Sequence, residues 1–394
     1  MRTGWQTKTL GEVLQKTETV NPLQSPKAEF DYIDVSSVSN ATFQIEATQR
    51  LKGKDAPSRA RKLVRANDIL FATIRPTLQR IAVVPEHLDK QVCSTGYFVL
   101  RPKPGVDHRF IFYSLFTENF MGQMESLQKG ASYPAVTDGD VKAQLIPIPP
   151  LPEQQRIVGI LDEAFDGIAK ARTNTEKNLQ NARALFESHL QSVLRNMKWK
   201  WKTLGDLCDG VEYGSSAKSK KEGKVPVLRM GNIQDGQLDW ENLVYTDDKD
   251  EIARYLLKHN DVLFNRTNSP ELVGKTAIYK GEMPAIFAGY LIRIHRKEDL
   301  LDGDYLNYFL NSQIALDYGK TVVISSVNQA NINGTKLKGY PIPAPSISEQ
   351  KIIVKKLDGL QEDTQRLESL YQRKLAALDE LKKSLLHQAF SGAL

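Results

Sequence analysis

Cysteine is almost missing from this chain: among 394 residues only Cys93 and Cys208 occur, far apart. Two such residues exclude a disulfide framework and a cysteine-based zinc site, and they fit a reducing cytoplasm. Long apolar runs are missing as well. None approaches the ~18–20 residues that a membrane-crossing helix needs. The opening stretch MRTGWQTKTL lacks the apolar segment of a secretory signal. The expectation is a soluble, cytoplasmic chain with no membrane partner. Nor is one sign of charge in large excess: 53 Lys and Arg face 47 Asp and Glu, a net charge of +6. Residues 199–345 balance 19 basic against 19 acidic side chains, which argues against a general polyanion-coating protein. With 41% hydrophobic and 25% charged residues, the composition is that of folded domains rather than disorder. At roughly 100–200 residues per domain, the length allows about two to four.

Catalytic signatures are absent too. No G-x-G-x-x-G, H-E-x-x-H, G-x-S-x-G or metal-spaced cysteine pair occurs. Ser269-Pro-Glu-Leu-Val-Gly274-Lys275-Thr276 ends like a phosphate-binding loop, but Ser269 stands where its first glycine belongs. His87, His108, His189, His259, His295 and His387 lie singly. The Asn/Asp-Pro-Pro-aromatic loop with which an adenine methyltransferase grips a flipped base is also missing. The expectation is a chain that catalyses nothing itself and binds no metal or cofactor.

What is present is a repeat. Trp5-Gln-Thr-Lys-Thr-Leu-Gly-Glu12 reappears as Trp199-Lys-Trp-Lys-Thr-Leu-Gly-Asp206, and Asn67-Asp-Ile-Leu-Phe71 as Asn260-Asp-Val-Leu-Phe264. Gly96-Tyr97, Pro147-Ile-Pro149, Glu153-Gln154 and Leu161-Asp162 recur as Gly289-Tyr290, Pro341-Ile-Pro343, Glu349-Gln350 and Leu357-Asp358. All keep one order and offsets of 193 to 196. Between these landmarks the copies differ almost completely. One scaffold carries two different variable surfaces.

Each copy divides again, giving segments 1–150, 151–198, 199–345 and 346–394. Residues 68–74, 81–84 and 97–100 read as strands, with 261–264, 276–279 and 291–294 as counterparts. Residues 110–121 and 305–316 read as helices. The proline clusters at 147–152 and 341–345 read as boundaries or linkers. A long amphipathic helix then follows in each copy. Ile157, Leu161, Phe165, Ile168, Leu179, Ala182, Phe186 and Val193 form one seam; Ile353, Leu357, Leu360, Leu367, Leu370 or Tyr371, Leu375, Leu378, Leu381 and Leu385 form the other. About 40 residues at ~1.5 Å each make helices of roughly 60 Å. Two such stripes in one chain most simply pack together, antiparallel, and that continuity predicts a buried Leu367.

Basic residues cluster beside the strands. Arg59, Arg61, Lys62, Arg65, Arg75 and Arg80 accompany a single acid, Asp68, and Lys218, Lys220, Lys221, Lys224 and Arg229 accompany only Glu222. Such runs are ordinarily solvated faces; on matching faces of related domains they neutralise phosphates. The loop after the first central strand holds Arg75, Thr77, Gln79 and Arg80, and its counterpart holds Arg266 and Asn268, then Lys275. A second pair of loops holds Ser132 and Tyr133 in one copy, and Ser325, Ser326 and Asn328 in the other. Arginine bonds guanine bidentately, and Asn or Gln does so with adenine. Read singly these are ordinary turns; recurrence at equivalent places with different side chains points to recognition.

On these residues the chain resembles the specificity (HsdS) subunit of type I restriction–modification systems over essentially its whole length. The carriers are the repeat, the Trp-x-x-x-Thr-Leu-Gly-Glu/Asp opening, Asn-Asp-Ile/Val-Leu-Phe, and the proline stretch that runs through Glu153-Gln154 and Glu349-Gln350 into a long helix. The second copy has two more residues between Pro-Ile-Pro and Glu-Gln. The resemblance implies an α/β (α+β) multidomain fold with a pseudo-two-fold repeat. Two target recognition domains would be separated by two antiparallel coiled-coil helices, each domain reading half of a bipartite, asymmetric double-stranded DNA target. The helices would set the spacer and dock two methyltransferase (M) subunits, through residues such as Glu153, Gln154, Ile157, Leu161, Phe165, Glu349, Gln350, Ile353, Leu357, Leu367 and Leu378. S-adenosylmethionine would sit on the M subunits, and ATP and Mg on the restriction/translocase (R) subunits. The competing expectation is a coiled-coil interaction scaffold whose globular units bind protein or RNA.

Overall fold

The computed structural model describes residues 4–195, 198–326 and 329–394. They form two compact units: one runs to Glu176 and resumes at Arg373, and the other is Lys177–Gln372. Each unit thus takes part of both long helices.

The repeated landmarks build the scaffold. Thr9 and Thr203 cap the short helices Leu10–Val13 and Leu204–Leu207. Each hydroxyl accepts the N–H of Glu12 or Asp206, whose carboxylate accepts the threonine N–H in return. Leu10 and Leu204, the next residues, are buried. Asn67 and Asn260 adopt left-handed backbone, φ +70° and +68°, which asparagine tolerates better than most residues. Asp68 and Asp261 then accept the main-chain N–H of Arg65 and Lys258, both at 2.8 Å. The strands they open, Ile69–Ala72 and Val262–Asn265, are buried throughout.

In the first unit Ile69–Ala72 lies between Ile81–Val83 and Tyr97–Leu100, all antiparallel. A four-stranded sheet contains one parallel pairing, Glu29–Ile33 with Val92–Ser94. In the second unit Val262–Asn265 lies between Thr276–Ile278 and Leu291–Arg296, with Cys208–Tyr213 beyond. A three-stranded sheet there has one parallel pair, Val225–Leu228 with Ile286–Phe287. Mixed pairing with interspersed helices is the α/β (α+β) arrangement expected.

Two local expectations are corrected. The prolines do not mark linkers only: Leu145–Ile148 is a strand paired with Gln6–Thr9, and Pro341–Pro343 pairs with Trp201–Thr203. Both strands of a two-stranded ribbon have a free edge, so a missing N–H costs no ladder bond there. The helices expected over 110–121 and 305–316 are each two helices, His108–Ser114 with Glu118–Leu127 and Gly303–Leu310 with Gln313–Val322. Thr117 and Ser312 cap the second of each pair. A polar cap inside an apolar pattern is where the chain turns.

The long helices are Leu151–Leu194 and Ile347–Ser391, 44 and 45 residues. In the first unit Arg156 reaches the Leu394 carbonyl at 2.9 Å, and Arg172 pairs with Asp379, so the helices run antiparallel. In the second, Arg183 pairs with Glu368 at 3.2 Å, while Leu190 and Leu194 share a core with Ile353 and Leu357. Each globular part grips its helix through one tyrosine. Tyr113 donates to Asp162 at 2.5 Å and Tyr308 contacts Asp358 at 2.7 Å, which accounts for the repeated Leu-Asp. Lys382 of the second helix lies under Phe43, Phe165 and Phe116 at 4.7, 5.4 and 6.0 Å. Burial lowers its ammonium pKa. No helix among the described residues is long and apolar enough to cross a membrane.

The expected seam through Leu367 is also corrected. Leu367 is 38% exposed, and Leu370 50%. From buried Thr364 the less exposed stripe runs through Glu368 in place of Leu367, takes Tyr371 over Leu370, and rejoins the expected Leu375 and Leu378. Glu368 on this stripe meets Arg183 of the other long helix. Accordingly, Leu367→Asp will change the stability of the isolated chain by less than about 0.5 kcal/mol, read as an unshifted thermal melt.

Candidate nucleic-acid interface

In the first unit the fold joins the two loops singled out in sequence. The Ile69–Ala72 strand ends at Thr73, whose hydroxyl donates to the Gly96 carbonyl at 3.0 Å, and Ile74 forms a bridge with Ala135. Arg75 follows in left-handed backbone, with its N–H on the Pro134 carbonyl at 2.6 Å. Its Nη2 donates to the Ser132 carbonyl at 3.1 Å, and the guanidinium lies 4.9 Å from the Tyr133 ring centre. Thr77 sits exposed at the tip of a 3-10 turn, Pro76–Leu78, and Gln79 closes the turn, again left-handed.

The basic run divides by accessibility. Arg59 and Arg75 are exposed. Lys62 points inward, donating to the Tyr97 carbonyl at 2.6 Å and Asp138 at 3.0 Å. Arg80 donates to the Val35 and Val38 carbonyls, both at 3.1 Å, and Arg61 to its neighbour Ala60 at 2.8 Å. Lys62 and Arg80 therefore hold distant segments in place and Arg61 folds back on its own strand, while Arg59 and Arg75 face solvent.

The second unit joins its loops by a small sheet. Thr267–Asn268 pairs with Gln329–Asn331, which pairs with Ile324–Ser326. Asn268, with Arg266 two residues before it, thereby belongs to one sheet with the strand that contains Ser325 and Ser326; Asn328 lies outside the described residues. Asn268 is half-buried and its side-chain oxygen accepts the Ser269 N–H at 2.9 Å. Arg266 corresponds to Thr73: each main-chain N–H and carbonyl bonds the equivalent neighbouring segments, and Arg266 Nη1 donates to the Gly289 carbonyl at 3.1 Å, as Thr73 does to Gly96. Its guanidinium stacks 4.9 Å from Tyr213, and Nε is buried without a hydrogen-bond partner. Lys275 is tied to Gln234 at 3.1 Å. Lys218 and Lys221 are exposed in the loop after Cys208–Tyr213, and Lys220 pairs with Asp247 at 3.2 Å.

Sequence reading missed Tyr213. Its ring supports Arg266, and its hydroxyl accepts the Gly334 N–H at 2.8 Å. Gly334 is required there, because a Cβ would lie 2.8 Å from Val211 and 3.1 Å from the Tyr213 hydroxyl. No local signal links residues so far apart. Two residues expected among the partner-binding set are buried instead. Gln154 and Gln350 are 1% and 0% exposed. Their side-chain oxygens accept the Asp107 and Asp302 N–H, both at 2.8 Å, and their amides donate to the Pro149 and Pro345 carbonyls at 2.8 and 2.9 Å. Of the other helix residues named, Ile157, Leu161, Ile353 and Leu357 are core, Phe165 is half-buried, Glu153 pairs with Arg156, and Glu349 caps its own helix through Ser346.

A duplicated scaffold with fixed landmarks and divergent exposed loops, some of them basic, defines a recognition protein built twice in one chain. The model of the type I restriction modification DNA specificity domain matches residues 2–179 and again 196–375, and the chain belongs to that family. It is 26% identical over 322 residues to the EcoKI specificity subunit of Escherichia coli, covering 77% of this chain and 69% of that one. A putative specificity subunit of Methanocaldococcus jannaschii, MjaX, is 31% identical over 198 residues. That match takes in 49% of this chain and less than half, 45%, of the relative. Among solved structures, a chain of a type I restriction–modification system superposes with a TM-score of 0.87 at 29% identity, covering 100% of this chain and 99% of that one. The HsdS subunit of Thermoanaerobacter tengcongensis gives 0.70, also at 29%, covering 100% and 98%.

Proposed function

We propose that this chain gives a type I restriction–modification complex its DNA address, each unit reading one half of a bipartite, asymmetric target. The observation that carries the reading is the division of labour within the repeat. Landmark residues cap helices, fill the core and clamp the long helices, while the divergent residues gather on joined, exposed loops. Phosphate contacts from Arg59, Lys218 and Lys221 fix register, and loop side chains read base edges. Affinity then falls steeply with salt, in proportion to the phosphates contacted. The long helices, about 66 Å at 1.5 Å per residue, set the number of unread base pairs between half-sites. They also dock two methyltransferase subunits, with restriction subunits beyond.

Leucines left in water support docking: Leu185, Leu367, Leu370 and Leu381 are 59%, 38%, 50% and 47% exposed. Large apolar side chains repeated along a helix face mark a partner surface. Methylation chemistry, with S-adenosylmethionine, belongs to the partner, as do ATP and Mg on the restriction subunit; the setting is cytoplasmic. The test is methylome sequencing of a methylation-free host carrying this chain and its neighbouring methyltransferase, against a host lacking this chain. The expected result is a new split motif, methylated on adenine in both halves. A complex that assembles with an active methyltransferase and produces no motif would favour the protein- or RNA-binding scaffold. In the same strain Leu367→Asp will lower recovery of the co-purified methyltransferase.

A further inference from the structure

We propose that Arg75 reads a guanine in the half-site of the first unit, and that Tyr133 is the positioning residue that holds its guanidinium in reading geometry. This rests on the DNA-targeting reading above. Arg75 and Gln79 both occupy left-handed backbone, φ/ψ of +50°/+58° and +53°/+40°. Neither residue type favours that region, and such strain persists only where surrounding bonds impose it, commonly at functional sites. Here the surroundings are the Pro134 carbonyl on the Arg75 N–H, the Ile74–Ala135 bridge and the 3-10 turn between the two residues. The strained segment therefore ends in an arginine that is presented rather than packed.

Tyr133 is the matching anomaly. At 71% it is the most exposed large hydrophobic side chain among the described residues. Its ring's recorded contact is the Arg75 guanidinium, 4.9 Å away. A ring so placed adds little to the core. What it does is fix a plane: stacking and the bond from Nη2 to Ser132 orient the fork, and among the described residues Nε, Nη1 and the second N–H of Nη2 meet no acceptor. A planar, oriented pair of donors suits guanine O6 and N7. A phosphate accepts the same fork but is met equally by the point charge of a lysine, which a guanine edge is not, so Arg75→Lys separates the two. The other arginines of the run differ: Arg80 and Arg61 are half-buried on main-chain carbonyls, Arg65 pairs with Glu18, and Arg59 is exposed without the ring that orients Arg75. Arg266 also stacks on a tyrosine, but it takes the place of Thr73 and holds the Gly289 carbonyl. The stacked, outward arginine belongs to one unit, so its guanine belongs to one half-site.

The experiment is methylome sequencing of the assembled methyltransferase carrying wild-type chain, Arg75→Lys, Tyr133→Ala or Tyr133→Phe. Thermal melts of each variant show whether it is folded. Lysine keeps a phosphate contact and loses the planar fork; phenylalanine keeps the stacking face. Arg75→Lys and Tyr133→Ala are expected to lose preference for guanine at one position of one half-site by roughly 5- to 150-fold. The other half should be unchanged, and Tyr133→Phe should retain the wild-type motif. A wild-type motif that Arg75→Lys or Tyr133→Ala leaves intact overturns the assignment. A wild-type chain that directs no split motif counts instead against DNA targeting itself, and the assignment falls with it.

Discussion

Replacing Arg101 with methionine will destabilise the first unit by about 3–5 kcal/mol, the cost of leaving one partner of a buried ion pair alone. Asp68 is 1% exposed and Arg101 13%. Their two hydrogen bonds, from Nε and Nη2, are both 2.8 Å long. Methionine fills similar space and supplies neither, so a carboxylate stays buried without its cation. The measurement is a urea titration. With slopes of about 1–3 kcal/mol per molar, the midpoint for this unit should fall by about 1 M or more. Asp68→Asn combined with Arg101→Met should recover part of the loss, because the amide oxygen still accepts the Arg65 N–H while carrying no charge. A single variant that melts like wild type would show the pair to be dispensable. The pair also bears on recognition, because Asp68 opens the strand that delivers Arg75.

Acidity acts on the same network. The hydrogen bond from Arg101 holds the Glu18 carboxyl below its ordinary value of 4.5, with Arg65 adding to the effect. A depressed carboxylate contributes stability above its unfolded pKa and loses it as pH falls through the folded one. Arg101→Met should therefore flatten that acid-side slope, leaving the part that Arg65 supplies.

Gln154→Leu and Gln350→Leu form the second test, one in each copy. Either change strands a buried N–H, of Asp107 or Asp302, and a carbonyl, of Pro149 or Pro345. Each buried polar group left unpaired costs about 1–3 kcal/mol, so each variant should lose on the order of 2–4 kcal/mol. Glutamate at either position keeps the acceptor but loses the donor and buries a charge, so it should not rescue. The consequence extends beyond stability. Asp107 and Asp302 cap the helices that carry Tyr113 and Tyr308, and those tyrosines grip the long helices. A loosened clamp therefore weakens the hold of the globular part on its helix, and methylation of the cognate half-site should fall with it. Unchanged urea midpoints in both variants would remove the clamp from the account.

Much of the scaffold is legible in the chain because it is local. Thr9 with Glu12 and Thr203 with Asp206 close capping boxes over three residues, and the two long helices declare themselves by steps of three and four. The duplication, the mixed architecture and the family resemblance all follow from such patterns. Which basic side chains face solvent does not follow. Lys62 meets the Tyr97 carbonyl across 35 residues, Arg75 meets Ser132 across 57, and Tyr213 meets Gly334 across 121. In the one-dimensional chain Lys62 and Arg59 are alike; only the folded neighbours turn one inward.

The helix seam shows the same limit from the other side. Both Leu367 and Glu368 lie at allowed steps from Thr364, and hydrophobicity favours the leucine. The folded helices turn Glu368 toward Arg183 and leave Leu367 in water, an outcome of how their buried residues pack and not of the step along one helix. The sequence by itself determined that the chain is a twofold scaffold with long amphipathic helices and divergent basic loops, because capping, periodicity and repetition are set by neighbours a few residues away. The tertiary structure alone decided which cations are free, which face of the helix is open and which tyrosine steadies which arginine, because those depend on groups that only folding brings within a few ångströms.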